Sequence, residues 1–361
     1  MHGFSIRAAL LIVAIVAGLA AAGATRADPP KSGYKVTNLV SDDPSLAPVT
    51  DANLQNAWGL ARSATSPWWI ADNGTDMTSV YTGAGVLVKV GNLNAQGVPG
   101  APTGAVSSGI SGQFQVGTTV NPNALNTSSF IFASEDGTIS AWRGGSTAAL
   151  VTVPQSPGAE FKGLAISNGA PGPRLYATDF GNGQVDVFDG SWQPVNTPGV
   201  FVDPALPAGY APFGIQTIGS RVFVTYAIQG PEGDEIDKPA AGIVDVYTLD
   251  GTFLHRVASH GLLDAPWGLA QAPAGWGDAG GDLLVGNFGN GRINAFKEQP
   301  DGSFLYDGTL RDVDGNRLFI DGLWALEFGN TGANGDPQTL FFTAGPNDEN
   351  NGLFGKIAST G

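Results

Sequence analysis

Beyond residue 50, short apolar stretches alternate with polar turns, and each turn leads into a second stretch where apolar and polar residues alternate. Trp69-Ile70-Ala71-Asp72-Asn73-Gly74 leads to Val80-Tyr81, and Phe130-Ile131-Phe132-Ala133-Ser134-Glu135-Asp136-Gly137 leads to Ile139-Ser140-Ala141-Trp142. Leu175-Tyr176-Ala177-Thr178-Asp179-Phe180-Gly181-Asn182-Gly183 leads to Val185-Asp186-Val187-Phe188. Leu283-Leu284-Val285-Gly286-Asn287-Phe288-Gly289-Asn290-Gly291 leads to Ile293-Asn294-Ala295-Phe296, and Leu340-Phe341-Phe342 opens a last copy that ends in Gly352-Leu353-Phe354. Alternation with period two sends successive side chains to opposite faces of a strand. Asn-Gly or Asp-Gly between two such runs signals a hairpin, because these residues tolerate the positive φ of a type I′ turn. No sustained helical period with caps occurs in this region, so the pattern predicts strands and hairpins.

A second phrase precedes the first in each unit. It reads Trp58-Gly59-Leu60-Ala61, Thr103-Gly104-Ala105-Val106, Lys162-Gly163-Leu164-Ala165, Phe213-Gly214-Ile215, Trp267-Gly268-Leu269-Ala270 and, diverged, Leu323-Trp324-Ala325-Leu326. The six copies recur at roughly 50-residue intervals, the signature of a propeller of four-stranded blades. The Gly-Leu-Ala strand is expected innermost, where strands crowd the axis and glycine allows close approach. The last unit supplies only three strands, while Tyr34-Lys35-Val36-Thr37-Asn38-Leu39-Val40 stands alone before the first unit. The expected fold is therefore all-β: a six-bladed propeller of antiparallel blades whose ring is closed by the N-terminal strand, which hides the edges of the first and last blades. Residues 28–361 are expected to form this single domain.

The segment ahead of it reads as an address. Arg7 precedes the apolar run Ala8–Ala24, and Thr25-Arg26-Ala27 ends it with a small-x-Ala pattern, so residues 1–27 are expected to be a secretory signal peptide. The expected location is secreted or periplasmic in a bacterium, with no membrane span after cleavage. The 361 residues contain no Cys, which excludes disulfides, thiolate metal sites and Cys nucleophiles. Lys and Arg number 17 against 32 Asp and Glu, a formal net charge of −15. That balance argues against nucleic acid and anionic membranes as partners. A monomer is expected.

The repeats resemble the NHL-type six-bladed propellers. The phrases Ala265-Pro266-Trp267-Gly268-Leu269-Ala270, Leu284-Val285-Gly286-Asn287-Phe288-Gly289-Asn290-Gly291-Arg292-Ile293 and Asp321-Gly322-Leu323-Trp324-Ala325-Leu326 look like those of exported bacterial propellers of uncharacterised activity. This resemblance implies a fold and an export route, not a reaction. Distantly similar propellers include calcium-dependent lactonases and gluconolactonases, and none of their catalytic motifs is carried over to this chain.

Propeller ligands sit where inner-strand ends and loops converge on the axis. Repeated hairpins put Asp72, Glu135, Asp179 and Asn287 at equivalent positions, so a ring of hard oxygens for Ca²⁺ is one reading. Turn chemistry is the other, since Asp and Asn dominate tight turns for backbone reasons. Trp58, Trp267, Trp324 and Phe213 share one register and read either as packing between blades or as an aromatic mouth for a flat or sugar-like ligand. Blade four carries a long charged insertion, with Glu232, Asp234, Glu235 and Asp237 followed by Lys238, placed as a grafted binding loop would be. His255 falls in an alternating strand and reads as structural, leaving His260 as the sole histidine placed to act as a general base. No Gly-x-Ser-x-Gly elbow and no His-Glu-x-x-His occur. The expected function is a binding or scaffold propeller that captures a small molecule, glycan or protein at its axial face. The alternative is a Ca²⁺-dependent lactonase- or esterase-like hydrolase, in which the cation polarises a carbonyl and activates water.

Overall fold

The computed structural model describes residues 33–231 and 233–361, so the signal-peptide reading and Glu232 lie outside the described residues. Six antiparallel sheets stand side by side in sequence order as the blades of a β-propeller. Blade one comprises Ala57–Ala61, Trp68–Asp72, Met77–Tyr81 and Ala95–Gly97; blade two comprises Pro102–Ser107, Phe130–Ser134, Ile139–Trp142 and Leu150–Val153. Blade three is Phe161–Ser167, Arg174–Asp179 and Gln184–Asp189, and blade four is Tyr210–Ile218, Arg221–Gln229, Ile243–Thr248 and Phe253–Ser259. Blade five is Pro266–Gln271, Leu283–Asn287, Ile293–Glu298 and Phe304–Thr309. Among the described residues only three single-turn 3₁₀ segments interrupt the strands, and no helix is long and apolar enough to cross a membrane.

Blade six closes the ring as the lone N-terminal strand requires. Leu323–Phe328, Thr339–Ala344 and Leu353–Ser359 are joined by Tyr34–Ser41, which pairs antiparallel with the last strand from Tyr34↔Ser359 to Ser41↔Leu353. The first ordered strand is thus held by the end of the chain, and neither terminal blade presents a free edge to the other.

The inner-strand glycines show why the repeat keeps them. A Cβ on Gly59 would stand 2.2 Å from the Thr103 carbonyl oxygen, one on Gly214 2.2 Å from that of Trp267, and one on Gly268 2.4 Å from that of Trp324. Each glycine therefore lets its inner strand touch the inner strand of the next blade. Threonine hydroxyls tie the same seam: Thr178 Oγ1 donates to the Phe213 carbonyl at 2.7 Å, and Thr343 Oγ1 donates to that of Trp58 across the closing junction. Between blades, separate apolar cores fill the wedges, such as Val106, Ile131, Phe161 and Leu175 between blades two and three. An additional cluster occupies the axis.

Two features depart from the regular repeat. In blade three the fourth strand is reduced to an isolated bridge, Phe188↔Pro194, with Val195 N–H donating to the Val187 carbonyl at 2.7 Å. Pro194 and Pro198 have no N–H to give a ladder, so the segment leaves the edge at once. In blade two the loop between the first two strands carries its own small hairpin, Gln115–Val116 with Asn126–Thr127, which the repeat pattern does not reveal.

Candidate functional site at the propeller axis

Lys162 begins the site. It lies on the inner strand of blade three, in the register where Trp58, Phe213, Trp267 and Trp324 stand in other blades. Its side chain is 2% exposed, and its Nζ lies 2.6 Å from Glu135 Oε1 and 2.8 Å from Glu160 Oε1. Asp234 Oδ1 and Glu235 Oε2 each lie 3.8 Å away. These carboxylates arrive from different segments. Glu135 follows the second strand of blade two, Glu160 precedes the inner strand of blade three, and Asp234 and Glu235 descend from the blade-four insertion. That insertion is positioned by a two-residue strand, Glu235–Ile236, paired with Ile228 and Gln229.

Amides extend the cluster around the axis. Asn73 Nδ2 donates to Glu135 Oε2 at 2.9 Å, and Asn56 Nδ2 donates to Asn73 Oδ1 at 3.1 Å and to Glu349 Oε2 at 2.6 Å. Asn56 Oδ1 in turn accepts the Trp324 indole N–H at 2.9 Å. Glu349 belongs to a blade-six loop in which Asn347, Asp348 and Glu349 are all left-handed, with φ of 61°, 50° and 61°. Three consecutive non-glycine residues in this region cost backbone energy, of the kind often stored where side chains must be aimed.

Below the polar layer lies an aromatic plug. Trp58 and Trp324 stack with centroids 3.7 Å apart, and Phe288 stacks on Trp324 at 4.0 Å. Phe213 and Trp267 meet Trp324 edge-on. Trp58, Trp324 and Phe213 are fully buried and Trp267 is 9% exposed, so these rings face one another and not solvent. The Trp267 indole donates to the Lys162 carbonyl at 2.9 Å, while Trp58 Nε1 has no partner among the described residues. Lys162 Nζ sits 5.4 Å from the Trp58 ring centroid, within range of a cation–π attraction.

The electrostatics follow from burial and neighbours. Burial by itself disfavours the Lys162 ammonium, but Glu135, Glu235 and Glu160 outweigh it and move its pKa above the ordinary lysine value. Lys162 is therefore a fixed positive charge, unsuited to act as a base or an amine nucleophile. Burial pushes the Glu235 carboxyl up to about 8 against the pull of Lys162. Burial also raises Glu349, with the Asn56 hydrogen bond opposing and Glu135 adding to the rise.

The candidate metal residues do not come together. Of Asp72, Glu135, Asp179 and Asn287, only Glu135 is in the axial cluster. Asp179 accepts the backbone N–H groups of Glu160 and Asn182 and the Asn182 amide, and it borders a groove of about 690 Å³ between blades two and three. Asn287 donates to the Leu262 carbonyl and to Asn290 Oδ1 within its own hairpin. Asp72 is fully buried at the end of its strand, and neither of its carboxylate oxygens has a hydrogen-bond partner among the described residues. Among the described residues no three His, Asp or Glu side chains are gathered as a ready-made metal cage. His260 is exposed beyond the outer strand of blade four, where its Nδ1 lies 3.1 Å from the Ala240 carbonyl, and His255 lies in that outer strand. Of the blade-four carboxylates, Asp234 and Glu235 reach the axial cluster, whereas Asp237 faces Asp264 and Asp348. The site members that the sequence pattern did not point to are Lys162, Glu160 and Asn56. One signal for them was present: Lys162 puts a charge in an otherwise aromatic register.

Comparisons with known proteins agree with this architecture. No family model matches the chain. It is 32% identical over 337 residues to uncharacterized protein L690 of Acanthamoeba polyphaga mimivirus, covering 90% of this chain and 85% of that one. Uncharacterized protein R648 of the same virus matches at the same identity, covering 90% and 80%. Among solved structures, a protein of unknown function from Bacteroides thetaiotaomicron superposes with a TM-score of 0.54 at 12% identity, covering 91% of this chain and 76% of that one. A streptogramin B lyase gives 0.51 at 12% identity, covering 91% and 98%. At these identities the structural likeness speaks for the propeller fold alone. These named relatives are viral proteins, so they lend no support to a bacterial origin.

Proposed function

The chain belongs to the same family as the mimivirus proteins L690 and R648, and we propose that it is a ligand-binding propeller whose axial mouth captures a positively charged small molecule. One observation carries this reading. Loops from blades two, three, four and six bring five carboxylates, Glu135, Glu160, Asp234, Glu235 and Glu349, around a single ammonium. Glu135 and Glu160 already satisfy Lys162 at hydrogen-bond distance, and a second cation would favour the ionised forms of Glu235 and Glu349, which burial otherwise disfavours. A ligand ammonium or guanidinium would complete the charge balance, and charge-assisted hydrogen bonds to carboxylates are the strong ones. The rigid ring holds the loops, which suits binding by a largely preformed mouth. Export through the segment 1–27 is part of the same proposal.

The alternative hydrolase with an axial Ca²⁺ has less to support it, because an ammonium holds the place among the axial carboxylates that the metal would take. Titration calorimetry on the purified protein separates the two. Spermidine and lysine methyl ester are expected to give saturable heats that Glu235→Gln and Glu349→Gln each weaken about tenfold, the size of one charge-assisted hydrogen bond. Lactone turnover, or amine heats unchanged in both variants, would defeat the binding reading.

A further inference from the structure

A second acidic site lies beside the axial mouth, and its residues have no part in the Lys162 cluster. Asp264 immediately precedes the inner-strand phrase of blade five, and Asp237 follows Glu235 in the blade-four insertion. Asp264 is 3% exposed. The Lys238 backbone N–H and the Asn290 side chain oppose the rise that burial gives its carboxyl, yet its Oδ1 is buried with no partner among the described residues. That oxygen and Asp237 Oδ1 border the same gap beside Gly289. Asp264 Oδ1 and Asp237 Oδ1 lie 2.5 and 3.0 Å from the point where a Cβ on Gly289 would stand, so the two are within 5.5 Å of each other. Gly289 is needed there for space, since any side chain would fill the gap between the carboxylates.

The charges near this gap are of one sign. Asp348, from the blade-six loop, adds to the repulsion felt by Asp237, and no Lys or Arg side chain offsets it. A buried carboxylate oxygen with neither hydrogen bond nor counter-charge is costly, and a cation is the direct remedy. The two carboxylates offer hard oxygen ligands. Ca²⁺ accepts six to eight such ligands in flexible geometry and completes its shell with water, whereas Mg²⁺ demands a stricter octahedron.

We propose that Asp264 and Asp237 form a Ca²⁺ site that ties the blade-four insertion to blade five. The tie would have a functional consequence, because the same insertion carries Asp234 and Glu235 to the axis. A bound cation at Asp237 would hold those two side chains over Lys162.

Calcium titration by calorimetry on metal-stripped protein tests the site directly. One saturable Ca²⁺ site is expected, weakened roughly tenfold or more by Asp264→Asn and by Asp237→Asn, since loss of a charged ligand lowers affinity. Asp312→Asn removes the same charge from an exposed turn in another part of the molecule and is expected to leave the affinity unchanged. Near-ultraviolet circular dichroism confirms that each variant is folded. No heat up to millimolar Ca²⁺, or the parent's affinity retained in both site variants, overturns the site. Protease cleavage within residues 230–239 reads the tie separately, with Ca²⁺ expected to slow it at least several-fold. Binding without protection overturns the tie. The amine titration is independent, so either proposal can fail alone.

Discussion

Two cations in this propeller are each held by more than one carboxylate, and they serve opposite ends. Arg256, on the outer strand of blade four, donates from Nε to Asp245 Oδ1 at 3.0 Å and pairs through Nη2 with Asp203 Oδ2. Both aspartates are almost wholly buried, and the group is closed, with one cation set between two anions. Lys162 at the axis is surrounded by more carboxylates than it can use. Its partners range from the buried Glu235 through the partly exposed Glu135 and Glu160 to the 80% exposed Asp234. A closed pair fixes structure. An open, charge-imbalanced cluster at the convergence of loops is prepared for something else to bind.

Removing the cation from each cluster tests that distinction. Arg256→Leu strands two buried aspartates, one of which, Asp245, burial already pushes up to about 7 in spite of Arg256. The expected loss is about 3–5 kcal/mol of stability, the cost of breaking a buried pair on one side, seen as a lower denaturant midpoint with little change in slope. Lys162→Met is expected to cost less, about 2 kcal/mol, because Glu135 and Glu160 can turn toward water. Equal losses would mean that the axial cluster is as closed as the outer one. A third variant probes the amide bridge between them and the plug. Asn56→Ala leaves the buried Trp324 indole N–H without its acceptor and frees Glu349, with an expected loss of about 1–3 kcal/mol by thermal unfolding.

The same contrast explains what the sequence could reveal. The ring was legible because its causes are periodic. Inner-strand glycines answer one steric demand, the approach of the next blade's backbone, and the glycines of turns such as Asn182-Gly183 and Asn290-Gly291 answer one backbone demand, a positive φ. The closing strand was legible as well, since Tyr34–Ser41 had no partner within its own stretch of sequence. The axial cluster was not, because its members are brought together by loops that do not repeat. Glu349 reaches Asn56 across 293 residues, and Lys162 reaches the blade-four insertion only because that insertion folds inward. Equivalent repeat positions misled for the same reason. Asp72, Asp179 and Asn287 pair with the start of their inner strands as Ser134 does, so Glu135 stands one residue further on, level with Asn73, and turns to Lys162, while Asp179 caps its turn and Asn287 braces its hairpin. The expectation of four strands in every blade fails in blade three, where Pro194 and Pro198 withhold the N–H groups a ladder needs.

A third cation marks the closing seam and gives the smallest and most specific effect. Arg62 of blade one donates from Nε to the Phe328 carbonyl at 2.8 Å and lies 3.3 Å from Glu327 Oε1 of blade six. Burial raises the Glu327 carboxyl from its ordinary value to about 7, and Arg62 only partly opposes this. The folded protein then holds a proton on Glu327 that the unfolded chain releases near pH 4.5. Where the native state binds more protons than the unfolded one, stability falls as pH rises, so this group's penalty grows between about pH 4.5 and 7. Glu327→Gln keeps the shape and cannot ionise. It is expected to match the parent at pH 4.5 and to exceed it by about 1 kcal/mol at pH 8, after allowance for the part of the side chain that water reaches. Thermal unfolding of both proteins across that range measures the difference. A variant less stable than the parent at pH 8 would mean that the Arg62 ion pair outweighs burial, and that the seam joining first and last blades is held by charge as well as by the strand that closes it.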